Sequence, residues 1–106
     1  MAKRRDIILA KIFFSDAPQA KIRPCVVLSG QNYEPGFLLI SPITSAQDPH
    51  CIRIAKSDAT CELADGSTAR ADVIMRISSG EKMRNIGQVS SAFYNRLVEH
   101  LTGLIR

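Results

Sequence analysis

The chain has 106 residues, 45% apolar and 23% charged, with a formal charge of +4. That length supports one modest core, expected as a single domain over residues 1–106, and the composition is that of an ordinary soluble globular protein. No apolar run nears the roughly 18–20 residues needed to span a bilayer, which argues against a membrane partner, and the charge is a moderate bias towards anionic partners, short of what coats duplex DNA.

The start, MAKRRDIILAKIFF, has the basic head and apolar stretch of a signal peptide. Lys11 breaks the apolar part and no small-residue cleavage site follows, so the segment is expected to be a core strand instead. Asp6–Phe14, rich in β-branched and aromatic residues, predicts the first strand. Ser15–Ile22 reads as a long loop that runs into Arg23-Pro24. Proline fixes its own φ, lacks an N–H and holds the preceding residue extended. The sequence therefore predicts Arg23 in one conformation at the mouth of a second strand, Pro24–Ser29, with its guanidinium free. Tyr33-Glu34-Pro35-Gly36 has turn chemistry, so Phe37–Ile43 is expected to hairpin with the second strand and to end in Thr44-Ser45. Two strands that each release a polar group at one end are expected to bring Arg23 and Thr44 into one pocket.

Cys51–Lys56 alternates apolar and polar residues as a half-buried strand does, whereas Ser57–Asp65 stays open, a helical turn closed by Gly66 being one option. Thr68–Ile77 predicts a strand with Arg70 and Asp72 on one parity and Ala69, Ala71 and Val73 on the other; Ile86–Val89 reads as a short strand or connector. The chain closes with a helix over Ser91–Ile105, marked by the stripe Phe93, Leu97, Leu101, Leu104, by Ser90 as N-cap and by Val89 with Tyr94 as a hydrophobic staple. The expected architecture is mainly β with a helix: a small, strongly bent antiparallel sheet or barrel covered on one side by the C-terminal helix. Cys25, Cys51 and Cys61 are an odd count without C-x-x-C spacing and are expected as free thiols in a reducing cytoplasm, Cys25 as packing. A zinc set of His50, Cys51 and Cys61 lacks a fourth ligand and the usual spacing, so no metal and no cofactor is expected.

Four segments in order resemble the MazF/PemK-type toxins of toxin–antitoxin systems. DIILAKIFF stands where that family has Gly-Asp and an apolar run, KIRPCVVLS resembles its Arg-Pro segment, and LLISPITS its Pro-[Ile/Val]-Thr-Ser segment. STARADVIMRIS followed by IGQVS resembles its Arg-x-Asp and Gly-x-[Leu/Val]-Ser block. The resemblance implies an SH3-like barrel and metal-independent, sequence-selective cleavage of single-stranded mRNA to a 2′,3′-cyclic phosphate (or 3′-phosphate) and a 5′-hydroxyl. It also implies a homodimer and a cognate antitoxin that blocks the RNA groove, the complex with it binding DNA. Arg5 replaces the glycine before Asp6, and the Ser15–Ile22 loop lacks the His or Glu that some members carry there.

The residue chemistry suits that reaction. A guanidinium at Arg23 matches phosphate oxygens and stays charged, Thr44 donates a hydroxyl to the same phosphate, and Ser45, Lys21 and Pro24 are candidate RNA contacts. Arg70 and Asp72 match, by the resemblance, a pair used as acid and base in a plasmid-stability branch of the family. Plainer readings exist for each: a turn arginine, loop hydroxyls, a solvated lysine, a surface ion pair. Tyr33, Phe14 and Phe37 suit base stacking or the core equally. Two other functions stay open on the same fold, a gyrase-poisoning toxin without enzymatic activity and an idle barrel that binds RNA or protein.

Overall fold

Seven strands and one helix follow in chain order: β1 (Asp6–Ile12), β2 (Lys21–Val27), β3 (Phe37–Thr44), β4 (Cys51–Arg53), β5 (Thr68–Arg70), β6 (Met75–Ser78), β7 (Lys82–Gln88) and α1 (Ser91–Gly103). The computed structural model describes residues 2–13 and 19–106. All pairings are antiparallel, in the order β4-β5-β3-β2-β1-β7, with β6 beside β3. The open sheet bends back on itself: Ala59, in the connection after β4, bridges to Val89 just past β7, and the Thr60 amide donates to the Gln88 carbonyl at 2.9 Å. The mainly β architecture with a terminal helix is the one the sequence predicts.

Several boundaries differ, for physical reasons. β2 begins at Lys21, so Arg23 is its third residue, opposite Ala10 of β1, instead of standing at a strand mouth. Pro24 is tolerated inside β2 because the β2–β3 ladder starts only at Cys25, leaving β2 an edge on that side. Phe14, the expected end of the first strand, and the first half of the expected loop lie outside the described residues. The Glu34–Phe37 turn closes as expected, with the Phe37 amide donating to the Glu34 carbonyl at 3.2 Å and Gly36 at φ +84. That positive φ is the one a type II turn demands after its proline. The half-buried strand stops at Arg53, and a 3₁₀ turn at Lys56–Asp58 spans the end of that expected strand and the start of the ambiguous segment.

Thr68–Ile77 is two strands, not one. β3 pairs β6 over Phe37–Ile40 and β5 over Ile43–Thr44, on one edge. Between them Pro42 has no N–H to offer, and the buried Ser41 hydroxyl instead donates to the Arg70 carbonyl at 2.7 Å. The chain turns there, the Val73 amide reaching the Arg70 carbonyl at 3.2 Å. β7 runs longer than expected because β1 gives it partners from Asp6 to Ala10.

The two faces bury separate clusters. Ile7, Val26, Ile43 and Ala69 meet Phe93, Leu97 and Leu101 of the helix, whereas Ile8, Ala10, Cys25, Val27, Ile40 and Ile77 pack on the opposite face. Phe93 and Leu97 are fully buried, each contributing about 1.5–3 kcal/mol. The Ser90 hydroxyl caps the helix by accepting the Phe93 amide at 3.1 Å, and Val89 and Tyr94 both join the helix-side cluster, as the staple requires. Burial pushes the Cys25 thiol up to about 12, so it packs and does not react.

The Arg5-Asp6 step shows why a glycine fits before the aspartate. Asp6 is buried and accepts from the Lys3 amide (2.9 Å), Gln88 Nε2 (3.0 Å) and Asn85 Nδ2 (3.2 Å). To reach it the chain passes through φ 78 at Arg5, the left-handed region that costs an ordinary residue about 1 kcal/mol. Arg5 offsets that cost by donating Nε to the Val89 carbonyl at 3.0 Å. Arg5→Ala keeps the strain and loses the bond, and is expected to unfold about 1 kcal/mol more easily than the parent. Arg5→Gly is expected to recover about 1 kcal/mol relative to Arg5→Ala. Thermal unfolding of the three proteins checks this, and an alanine variant as stable as the glycine variant contradicts it.

Candidate functional site

The strand registers bring most of the predicted residues to one face. Arg23 opposes Ala10 and Cys25 opposes Ile8, and these partners belong to the cluster away from the helix. Cys25 pairs with Pro42 at the end of the β2–β3 ladder, and Arg23 and Thr44 follow just beyond that end with the same side-chain parity. Thr44 pairs with Thr68 on β5, and on the same face Arg70 is level with Pro42. Directly opposed residues have Cβ atoms about 4.5–5.5 Å apart and diagonal ones about 7–8 Å, within reach of long side chains. Lys21 lies on this face of β2 too, and Ser45 follows Thr44 past the strand end, exposed. Pro24 is the exception: opposite Leu9, it lies on the helix side, away from Arg23.

Arg23 and Arg70 are in different states. Among the described residues the Arg23 guanidinium has no ion-pair partner. The Thr44 hydroxyl accepts weakly from the Ala46 amide at 3.4 Å, which leaves its own hydrogen to donate. Arg70 is engaged on both sides. Its Nε and Nη2 donate to Asp72 Oδ1 and Oδ2 at 3.1 and 3.2 Å, and Nη1 lies 3.3 Å from Asp48 Oδ2. The Arg70 hydrogen bonds hold the Asp72 carboxyl below the usual carboxylate range against some desolvation. Asp72 follows β5 instead of lying in a continuous strand, but it still turns back onto Arg70.

Two further features adjoin this pair and were not legible in the sequence. Asp48 also accepts the Cys51 thiol at 3.3 Å, and burial followed by that hydrogen bond raises the Cys51 pKa. His50 Nδ1 lies 3.2 Å from His100 Nε2, joining the start of β4 to the helix. His50 reads from sequence only as a poor zinc ligand, and His100 only as a residue beside the apolar stripe. Their meeting depends on how the helix seats, which no local pattern encodes. Of the candidate stacking aromatics, Phe37 is covered by the Arg76 guanidinium, 3.6 Å from its ring centroid, and Phe14 lies outside the described residues.

With this geometry in hand, comparison with known proteins is specific. Residues 3–105 match the profile of the PemK-like, MazF-like toxins of type II toxin–antitoxin systems. The chain belongs to that family. No curated protein matches the sequence. A MazE–MazF crystal structure from Deinococcus radiodurans superposes with a TM-score of 0.78 at 15% identity, covering 98% of this chain and 95% of that one. The Mycobacterium tuberculosis toxin MazF-mt6 gives 0.75 at 20% identity, covering 95% and 96%. An endoribonuclease in complex with its cognate antitoxin, from a mycobacterial species, gives 0.74 at 15%, covering 98% and 92%. At these identities the likeness carries the fold.

The Ser41 hydroxyl supports the end of β5 from which Arg70 and Asp72 depart. Ser41→Ala removes one of the two hydrogen bonds that the Arg70 carbonyl accepts, the other coming from the Val73 amide, and is expected to cost about 0.5–1.5 kcal/mol. A lowered urea midpoint with an unchanged m-value is the expected reading; an unchanged midpoint contradicts it.

Proposed function

We infer that this protein is an endoribonuclease toxin that cuts single-stranded mRNA at selected sequences without a metal. The observation that carries the reading is the Arg23 fork, without an ion-pair partner among the described residues, on the same face of adjacent strands as the Thr44 hydroxyl. Membership of the toxin family and neighbours described as endoribonucleases support it.

In the proposed reaction the 2′-oxygen attacks phosphorus as its proton leaves, and the bond to the 5′-oxygen breaks as that oxygen gains a proton. The products are a 2′,3′-cyclic phosphate, which water opens to a 3′-phosphate, and a 5′-hydroxyl. Arg23 neutralises the crowded phosphorane, the kind of preorganised contribution that is usually the largest single catalytic term. Thr44 donates to the same phosphate, with Ser45 beside it and Lys21 one step outward. A guanidinium is a poor base near neutral pH, so Asp72 takes the proton and Arg70 orients it. A carboxylate held this acidic is a weak base, which makes the enzyme slow. We assign the chain as one domain that works in the cytoplasm as a homodimer restrained by a cognate antitoxin. Phe13 and Ile22, 63% and 53% exposed on one face of the β1–β2 pair, suit a protein contact.

Incubation of a long transcript with the purified protein and excess EDTA is expected to give a few discrete fragments with 5′-hydroxyl ends. Arg23→Ala is expected to lower kcat by about 10²–10³ with an unchanged circular dichroism spectrum, and Thr44→Val by about tenfold. Full activity in Arg23→Ala removes the assignment. Because the folded Asp72 carboxyl is depressed, it stays ionised on acidification until the pH passes below the usual value of about 3.9. The acid limb of the rate profile is therefore expected to lie below that value, and Asp72→Asn is expected to abolish the limb along with most of the rate. Intact RNA together with DNA cleavage complexes on expression is the result that would favour gyrase poisoning.

A further inference from the structure

The face that carries Arg23 continues beyond Thr44. Thr44 pairs with Thr68 on β5, and Thr68 pairs with Arg53 on β4. Thr44, Thr68 and Arg53 thus form one transverse row over three paired strands, with Arg23 on the same face just beyond the end of the β2–β3 ladder. At roughly 4.8 Å per strand the Thr44 and Arg53 backbones lie about 10 Å apart along the row. Arg53 is exposed and, among the described residues, has no ion-pair partner. Thr68 is buried, its hydroxyl donating to the Ala46 carbonyl at 2.6 Å. The surface between the arginines is therefore made by the segment that crosses over it, with Ser45 and Gln47 exposed and Gln47 Nε2 donating to the Gly66 carbonyl at 2.9 Å.

Arg53 and Gly66 also stand on the lining of a cavity of about 470 Å³, enclosed by the long connection between β4 and β5. That is ample for a heterocycle and within the range of small-ligand sites. Its lining includes Arg53 and Lys56 as well as Glu62 and Asp65, together with Thr60 and Cys61, and Ile54 and Leu63 supply apolar wall. The two carboxylates oppose a phosphate buried inside. A neutral planar base, with donors and acceptors on its edge and apolar faces, suits the mixture.

We propose that RNA crosses the strands along this row, with Arg53 holding a second backbone phosphate and the cavity of the β4–β5 connection receiving a base that selects the cut site. The inference rests on the RNA-cleaving reading above and adds a subsite remote from the reacting phosphate. Transverse passage follows from the row and from Arg23 beyond it: a cation to either side and hydroxyl and amide groups between them.

The test uses short 2′-O-methyl RNA oligonucleotides, which bind but cannot be cut, titrated over a range of salt. Arg53→Ala is expected to weaken binding about tenfold and to reduce the log–log salt slope by about 0.7, the share of one single-strand phosphate. Arg53→Lys is expected to retain the slope. Lys11→Ala, an exposed cation on the helix-side face of β1, serves as the control and is expected to change neither quantity. Ala64→Trp, at an exposed position on the cavity lining, is expected to change which positions of a transcript are cut while total turnover persists. An unchanged slope in Arg53→Ala overturns the track, and an unchanged cut map in Ala64→Trp overturns the base cavity. A parent protein that binds the probes through Arg53 but cuts nothing upholds the track and removes the nuclease. One that cuts RNA with Arg53 immaterial to binding does the reverse.

Discussion

The site depends on a corner in β3. A straight strand would carry one neighbour along its whole outer edge; Ser41-Pro42 forbids that, because proline brings no amide and the serine side chain takes the contact a backbone group would make. β6 therefore keeps the first half of the edge and β5 the second, and the chain must turn between Arg70 and Met75. The turn leaves Arg70 and Asp72 at the margin of the face that β2 and β3 build. Polar groups from three strands gather there because one strand cannot stay straight.

The arginines on this face divide by their electrostatic state. Arg70 is held between two carboxylates at 3.1 and 3.3 Å, and its charge is spent on joining the Asp48 turn to the end of β5. To bind a phosphate it would have to give up one of them. Arg23 and Arg53 have no such debt among the described residues, and a planar fork without a partner is the form in which arginine meets a phosphate most readily. The locked cation organises the scaffold; the open ones are available to a ligand.

What the sequence discloses follows the range of the forces involved. The helix, its serine cap and its staple are local, and periodicity with short-range chemistry finds them. The Pro35-Gly36 turn is equally local and correctly sited. β2 is read too short at Lys21–Arg23 because those residues are strand by virtue of β1 beside them, a pairing no local pattern encodes. The division of Thr68–Ile77 is not visible locally because its cause lies in Ser41 and Pro42, far along the chain. Within the site, Arg23, Thr44 and the Arg70–Asp72 pair are named by motif, whereas Asp48, the His50–His100 contact and the alignment of Arg53 with Thr44 exist only once the registers are set.

Gly87 bears on how such a protein can diversify. A Cβ there would sit 2.8 Å from the Cβ of Cys61 and 2.9 Å from both the Cys61 sulfur and Thr60 Oγ1, so β7 and this wall of the cavity are seated against each other with no room for a methyl group. Substitutions at residues 60 and 61 must therefore first keep clear of the β7 backbone at Gly87. In the rim formed by residues 62–65, Leu63 packs against the helix-side core whereas Glu62, Ala64 and Asp65 are exposed, so variation is least constrained at those three positions.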